Sequence, residues 1–235
     1  MEKQYYSQYG QDAFLEKIFK KKLGTFLDIG AYDGITFSNT YFLESSLNWK
    51  GICVEPNPIP FSKLKEVRKS INVNCGIGTA NKQLKFLALS GAGEMLSGFT
   101  STFNDEHYAR ITEMERHYEI KKQNIAIEAK PLSELLNDYN IKNVDYCSID
   151  VEGGEMEVLK SIDFDAVNIR LISVENNLGT KDAKKFLRAL GYSRIWKIGS
   201  DEFYERETKR YGLILKFKFQ NFLKRLSYLK NQIFS

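Results

Sequence analysis

The sequence predicts an α/β fold, a doubly wound and mainly parallel sheet with helices on both faces. Short apolar runs that end in a glycine or a carboxylate recur at 25–29, 51–55, 144–150 and 169–175. A pattern of helical period follows each run, and this order is typical of parallel strands joined by crossover helices. The length of 235 residues and the hydrophobic content of 43% suit one sizeable domain with a full core.

The first strand, Thr25–Ile29, ends in a glycine corner that precedes a helical pattern over 37–47. Glycine at such a corner lets the backbone turn sharply and lets a ligand approach the main chain. The spacing Asp28-x-Gly30-x-x-x-Gly34 differs from the Gly-x-Gly-x-x-Gly of dinucleotide sites and puts a carboxylate inside the turn. An acid there repels a pyrophosphate and suits a ligand with an ammonium group.

The second apolar run, 51–54, closes on Glu55, where a carboxylate can accept hydrogen bonds from both hydroxyls of a ribose. A cofactor with a ribose and an amino-acid cation, and without phosphate, is S-adenosylmethionine. Strand, corner, helix, strand and terminal acid together predict a site for it; a corner that binds no ligand is the alternative. By position, the next corner, with Gly76 and Ile77, would lie over the adenine.

Four strands end in acids, namely Asp28, Glu55, Asp150 and Glu175, and we expect them to meet at one edge of the sheet. One cationic cofactor needs less negative charge than this. Asp150 and Glu175 with Asn176 would form an all-oxygen set suited to Mg²⁺ or another hard divalent cation. Such a metal would lower the pKa of an acceptor hydroxyl. The alternative is that Asp150 is itself the general base, or only orients the substrate.

Residues 90–124 interrupt the strand-helix order with a polar, glycine-containing segment, which is typical of a lid or an acceptor-binding insertion. His107 and His117, the two histidines of the chain, both lie in it. His107 is a candidate base that would assist Asp150. A surface or packing role is the commoner one for a lone histidine.

The three cysteines lie in apolar, strand-like runs without metal-ligand spacing, which is typical of reduced thiols in a cytoplasmic protein. The N-terminus lacks the apolar core of a signal peptide, and no run approaches the length of a membrane span. Basic residues before the C-terminal stretch form no patch with interleaved aromatics, which argues against a nucleic-acid partner. We therefore expect a cytoplasmic location and a small-molecule or glycan acceptor.

The C-terminal stretch 209–235 differs in composition from the predicted domain, 1–208. It carries seven Lys and Arg and no acid; because the whole chain has a net charge of +4, residues 1–208 carry −3. Its apolar residues recur at steps of three and four, which predicts an amphipathic helix. Packing against its own domain or a second copy of the chain is the commoner outcome for such a helix. Contact with the anionic inner face of a membrane is the alternative.

Several motifs together resemble the FkbM-like family of S-adenosylmethionine-dependent methyltransferases. They lie at 7–12, 26–34, 38–40, 49–58 and 148–155. The resemblance extends over about residues 5–205 and implies a Rossmann-like fold of the class I methyltransferase type. It also implies O-methylation, often of sugars in polysaccharide or natural-product pathways.

By this resemblance the segment around Gln8 folds over the cofactor, whereas the residues alone slightly favour a helix-capping role. Gln11 stands where relatives commonly have an acid, so we expect no charge there. The predicted cofactor-binding residues are Gln8, Asp28, Gly30, Tyr32, Gly34, Ser38, Asn39, Glu55, Pro56, Gly76, Ile77 and Asp150.

The predicted function is methyl transfer to a hydroxyl of a sugar or nucleotide-activated sugar, in surface polysaccharide biosynthesis. Another small acceptor, such as a phosphoramidate or a natural-product hydroxyl, is the first alternative. An NAD-dependent sugar-modifying oxidoreductase is the second, disfavoured by the missing dinucleotide fingerprint. A catalytically silent scaffold that docks on membranes through the tail is the third.

Overall fold

A seven-stranded sheet forms the centre of the protein in the computed structural model, which describes residues 3–20 and 23–207. Its strands are β1 (Thr25–Ile29), β2 (Lys50–Val54), β3 (Ile71–Val73), β8 (Asn143–Ile149), β9 (Asn168–Glu175), β10 (Tyr192–Ile198) and β11 (Asp201–Arg206). Their order is β3-β2-β1-β8-β9-β11-β10. The first five are parallel, and β11 pairs antiparallel with both β9 and β10. The predicted mainly parallel sheet is confirmed, and its strand order reverses between β1 and β8.

Seven helices accompany the strands in the described residues. They are α1 (Gln11–Phe19), α2 (Tyr41–Leu47), α3 (Pro58–Val67), α4 (Asp105–His117), α5 (Leu132–Asp138), α6 (Glu155–Lys160) and α7 (Asp182–Ala189). Side chains of α1, α2 and α3 share one buried apolar cluster with Phe26 of β1. Those of α5, α6 and α7 share the other with its neighbour Leu27. Because successive side chains of a strand point to opposite faces, helices cover both faces of the sheet, as in a doubly wound fold.

A second sheet of four strands lies outside the central one. It contains β4 (Gly76–Ile77), β5 (Lys82–Leu89), β6 (Gly98–Phe99) and β7 (Lys122–Lys130), in the order β4-β7-β5-β6. β5 and β7 pair antiparallel along their whole length. The predicted strands at 83–89 and 125–129 therefore belong to this sheet and not to the parallel one. Alternating burial in the middle of β7 suits an antiparallel sheet with one exposed face.

The predicted insertion lies between β5 and β7. It forms a 3-10 turn over Gly91–Leu96, then β6 and α4. Helix α2 is shorter than predicted, because Phe37 takes a left-handed φ of +55° and Asp33 accepts hydrogen bonds from the amides of Ile35 and Thr36. The predicted tail, 209–235, lies outside the described residues. Within the part of the chain that is described, no helix is both long and apolar enough to cross a membrane.

Candidate active site

A cavity of about 620 Å³ lies at the carboxyl ends of β1, β2, β8 and β9. This is the size of a small-molecule site and the edge of the sheet where α/β proteins bind ligands. Gly30, Glu55, Asp150 and Glu175 line it from the central sheet. The second sheet, the insertion and the segment around Gln8 contribute the rest of the lining.

The glycine corner after β1 leaves no room for a side chain. Gly30 has a φ of +88°, and a Cβ built on it would lie 1.7 Å from the carbonyl oxygen of Asp150. Both neighbouring strands hold the corner, since the amide of Gly30 donates to Val54 and the amide of Asp150 donates to Ile29, each at 2.9 Å. The corner brings the backbones of β1 and β8 together at the wall of the cavity.

The main chain fixes the orientation of Glu55. Its Oε2 accepts from the amide of Tyr32 at 2.9 Å, and its Oε1 accepts from that of Asn57 at 2.7 Å. Each carboxylate oxygen retains acceptor capacity for a ligand hydroxyl. The Nδ2 atom of Asn57 lacks a hydrogen-bond partner although it is buried, and the residue lines the cavity. An unpaired donor beside a fixed carboxylate suits a group that both donates and accepts, as ribose hydroxyls do.

Asp28 faces into the protein. It accepts a hydrogen bond from the hydroxyl of Thr40, and its Oδ2 lies 3.6 Å from the buried guanidinium of Arg68. Arg68 also donates to Glu44, to the carbonyl of Gly34 at 3.1 Å and to Thr40 at 2.8 Å. Asp28 and Arg68 thus tie the loop after β1 to α2 and α3. The predicted contact of Asp28 with the methionine end of the cofactor stays a prediction, because this carboxylate is not among the cavity-lining groups.

Four acids form the acidic end of the cavity, which we define as Asp150, Glu152, Glu175 and Asp201. Glu175 lies beside Asp150; its Oε1 accepts from the hydroxyl of Ser200 at 3.3 Å, and its Oε2 is buried without a hydrogen-bond partner. Burial, and then the neighbouring negative charge of Glu175, raise the pKa of Asp150 well above its usual range. Burial is also the largest cause that raises the pKa of Glu152 to about 7 and that of Asp201 to about 6. A group of carboxyls with raised pKa values can accept protons near neutral pH.

Two amide side chains hold Asp201 in place. The Nε2 atom of Gln11 donates to it at 2.6 Å, and Asn39 donates to it and, at 3.1 Å, to Ser148. These bonds orient the amide of Asn39 and leave its Oδ1 atom buried without a partner. Asn39 is only 7% exposed and lines the cavity. A ligand that fills this end therefore meets an unpaired acceptor.

The insertion reaches the same end of the cavity through α4. Arg110 donates to Glu152 at 2.9 Å, and Nδ1 of His107 lies 3.7 Å from that carboxylate. His107 stacks on Phe103, and its Nε2 atom lies 2.9 Å from the carbonyl of Leu96, so this nitrogen carries the proton. Burial lowers the pKa of His107. His107 is packed behind Glu152, and its role as a base stays a prediction.

The structure brings most predicted site residues to one cavity. Those that line it are Gln8, Gly30, Tyr32, Asn39, Glu55, Pro56, Ile77, Asp150 and Glu175. Those that do not line it are Asp28, Gly34, Ser38, Gly76, His107 and Asn176. The Oγ of Ser38 accepts from the first amides of α2.

Sequence reasoning missed several residues of the cavity, above all Asp201. The sequence prediction places acids only at the ends of strands, but Asp201 begins β11, and β11 runs antiparallel to β9. Its first residue therefore lies at the edge where the parallel strands end. Arg110, Glu94 and Asn57 were also missed. Asn57 had a signal, because Asn before a proline-led helix is a common N-cap, and its Oδ1 accepts from Ile59.

The predicted metal set does not assemble. Both amide atoms of Asn176 bond to the backbone of Thr180 at 2.9 Å, which holds the side chain in its own loop. Among residues 3–20 and 23–207, no group of three or more His, Cys, Asp or Glu side chains is arranged to hold a metal ion.

S-adenosylmethionine fits the donors and acceptors of the cavity. Glu55 and Asn57 offer an acceptor pair and an unpaired donor for the ribose. Carboxylates and the free oxygen of Asn39 suit the positive charges of the ammonium and sulfonium groups. Gly30 lines the cavity, where its corner brings the backbones of β1 and β8 together.

Replacing Glu55 by glutamine should weaken the binding of S-adenosylhomocysteine by about 10- to 100-fold, because hydrogen bonds to a charged group are lost. Isothermal titration calorimetry on the purified chain measures this change. The matched control is Glu66→Gln, an exposed position on α3 in the same βα unit. Equal affinities of wild type and Glu55→Gln would contradict the ribose assignment.

The affinity for S-adenosylhomocysteine should rise with pH between 5.5 and 7.5. Burial raises the pKa of Glu55 from an ordinary 4.5 to about 7, and the carboxylate is the form that accepts from both hydroxyls. Below that pKa, binding must first remove a proton, so affinity should change by up to about tenfold per pH unit. Titrations at several pH values measure the slope. A slope of equal size in Glu55→Gln would assign the effect to another group.

Comparisons with known proteins bear on the family of the chain. A sequence model of the family described as "Methyltransferase FkbM domain" matches residues 28–194. "Methyltransferase 1" of Beauveria bassiana is 25% identical over 183 residues, which make up 70% of each chain.

Two solved structures give weaker similarities. The methyltransferase FkbM of Methylobacillus flagellatus KT is 13% identical with a TM-score of 0.46, covering 79% of this chain and 44% of that one. This chain thus spans less than half of that protein. The precorrin-6y C5,15-methyltransferase of Geobacter metallireducens GS-15 is 14% identical with a TM-score of 0.42, covering 83% and 84%.

Proposed function

Because the chain belongs to the FkbM family of S-adenosylmethionine-dependent methyltransferases, we propose that it methylates a hydroxyl group of a sugar. One observation carries the choice of a hydroxyl acceptor. The neighbouring, half-buried carboxyls of Asp150 and Glu175 line the same cavity as Gly30 and Glu55, the residues assigned here to the cofactor. They offer a proton acceptor next to the glycine corner of the cofactor site.

One half of the cavity would bind and orient the cofactor. Glu55 and Asn57 would hold the ribose, and Pro56 and Ile77, which also line the cavity, would contact the adenine. Tyr32 links this half to the insertion, because its hydroxyl donates to Glu94 at 2.7 Å. When bound, S-adenosylmethionine supplies a methyl group on a positively charged sulfur, which needs an aligned nucleophile more than strong activation.

Asp150 and Glu175 would receive the proton of the acceptor hydroxyl. As the bond from carbon to the acceptor oxygen forms and the bond from carbon to sulfur breaks, this proton passes to the carboxyl pair. A carboxyl whose pKa burial has raised is a stronger base than an ordinary one, which suits it to this transfer.

The rest of the lining supports a sugar as the acceptor. Ser97, Ser101 and Thr102 of the insertion bring hydroxyl groups to the cavity, and Phe86 and Phe99 of the second sheet bring aromatic rings. Hydroxyls and carboxylates bond to sugar hydroxyls, while aromatic rings contact the apolar faces of sugar rings. This combination of a few polar groups with aromatic ones is typical of small-molecule sites.

Asp150→Asn should lower kcat for methyl transfer by about 10²- to 10⁴-fold, the range that a general base contributes. Its affinity for S-adenosylhomocysteine should stay near that of wild type, because the substitution keeps the shape of the side chain. Transfer of labelled methyl groups, with NMR assignment of the product, measures both the rate and the methylated atom. The control is Asp138→Asn, an exposed position on α5. A product methylated at nitrogen, or an unchanged kcat, would reject this mechanism.

A further inference from the structure

The charge of the cavity bears on the form in which the acceptor arrives. Besides the four residues of the acidic end, Glu55, Glu94 and Glu157 line the cavity, so seven carboxyl groups face two cations among the described lining residues. S-adenosylmethionine adds a single net positive charge. Two of these carboxylates have partners outside the lining, since Lys63 pairs with Glu94 at 3.8 Å and Lys160 pairs with Glu157 at 3.2 Å. Burial raises the pKa of Asp150 well above its usual range, which leaves the four carboxylates of Glu55, Glu152, Glu175 and Asp201 against two lining cations and the single charge of the cofactor. Above neutral pH the cavity therefore keeps an excess of negative charge after the cofactor has bound.

Neither of the two cations is an unpaired group that the structure assigns to the acidic end. Lys82 lies at the exposed beginning of β5. Arg110 lies at the acidic end, but it already pairs with Glu152 at 2.9 Å. A phosphate that entered would have to displace that carboxylate and would also face Asp150, Glu175 and Asp201.

A second observation points to the kind of ligand that fits. The Oδ1 atom of Asn39 is buried without a donor, beside Asp201, at the wall of the cavity. The amide nitrogen faces Asp201, so turning the amide would set its oxygen against that carboxylate. This end thus presents acceptor atoms, and an occupant has to bring donor groups.

We propose that the acceptor enters the cavity as an uncharged polyol, a sugar that carries no phosphate at the bound end. Its hydroxyls donate to the carboxylates and to Asn39. This inference rests on the proposed function and narrows it. Methylation then follows the glycosyl transfer that releases the nucleoside diphosphate, and it does not act on the nucleotide-activated sugar.

Pyrophosphate and uridine diphosphate are probes that test whether the cavity excludes anions, and they require no knowledge of the acceptor. Titrated into the full chain saturated with S-adenosylhomocysteine, neither should bind wild type with a Kd below about 10 mM. Glu152→Gln frees Arg110 and removes one carboxylate, and its affinity for pyrophosphate should rise at least about tenfold. The matched control, Glu157→Gln, removes a lining carboxylate that pairs with Lys160, so it leaves Arg110 paired and should gain no such affinity. Wild-type binding of either probe below about 1 mM would overturn the proposal.

Methyl transfer to matched acceptors separates this inference from the proposed function. Hexoses are offered in pairs, as methyl glycosides and as uridine diphosphate esters, with labelled S-adenosylmethionine. We expect kcat/KM to be at least about 100-fold higher for the methyl glycoside, because the diphosphate of the other form is repelled by the carboxylates of the cavity. O-methylation of the diphosphate form at an equal or higher kcat/KM would overturn the inference and leave the proposed function standing. Failure of wild type to bind S-adenosylhomocysteine would remove the proposed function itself.

Discussion

Gly30→Ala should lower the free energy of unfolding by about 4 kcal/mol or more, which is exceptional for one methyl group. The added Cβ would lie 1.7 Å from the carbonyl oxygen of Asp150, and the backbone at this position has a φ of +88°. The carbonyl is part of the main chain just after β8, so it cannot move aside as a flexible side chain would. Relief requires β1 and β8 to separate at the cavity, and cofactor binding should be lost with the stability.

Urea unfolding of Gly30→Ala and of Gly191→Ala separates the steric clash from backbone strain. Gly191 has a φ of +83°, but a Cβ built on it meets no atom within 4 Å. Alanine there should cost only the strain of a left-handed residue, about 1–2 kcal/mol. Equal losses in the two variants would show that the close approach of Asp150 does not determine the glycine.

Arg68→Met should lower the free energy of unfolding by about 3–5 kcal/mol, because it breaks a buried ion pair from one side. The variant leaves Asp28 in the interior without a positive charge beside it, although the hydroxyl of Thr40 still donates to it. Glu44 is less affected, since it also accepts from the amides of Lys69 and Ser70. The control is Arg188→Met on the exposed face of α7, which should change stability by less than about 0.5 kcal/mol.

The double variant Arg68→Met/Asp28→Asn identifies the unpaired carboxylate as the cause. Removing the charge should restore at least about 1 kcal/mol relative to Arg68→Met, a coupling that a double-mutant cycle measures. Simple addition of the two single losses would contradict this explanation.

The pH dependence of Arg68→Met gives an independent check. Burial raises the pKa of Asp28 while Arg68 lowers it, so the pKa rises further once the guanidinium is gone. An acid with a raised pKa in the folded state contributes stability below its unfolded pKa and loses it as pH rises through the folded pKa. The free energy of unfolding of Arg68→Met should therefore be closest to that of wild type at acid pH, and the difference should grow as pH rises.

These results would also test how Asp28 serves the cofactor. The sequence predicts that Asp28, near the end of β1, contacts a positively charged ligand directly. In the structure Arg68 lies between Asp28 and α2, and it also holds the carbonyl of Gly34. The ion pair of Asp28 and Arg68 thus stabilises the loop that carries Tyr32 and Asn39 to the cavity. An effect of Asp28→Asn on cofactor affinity would then arise through the position of the loop.

Local pattern was enough for the parallel core of the fold. The apolar run of β1, its glycine corner and the acid after β2 predicted the sheet and the place of Glu55, because these features depend on residues close in the chain. Pairing between distant strands was not predictable in this way. The runs that became β5 and β7 look like strands of any sheet, and only their antiparallel pairing shows that they belong to a second one.

By itself the sequence determined the fold class, the family and the edge of the sheet where the cavity lies, since strand ends and glycine corners are local features. The tertiary structure alone decided which acids face the cavity. Asp28 is turned inward by Arg68, a residue 40 positions away, whereas Asp201 enters from an antiparallel strand that begins where the others end. The charge around a bound ligand depends on such long-range contacts, which cannot be predicted from the spacing of residues along the chain.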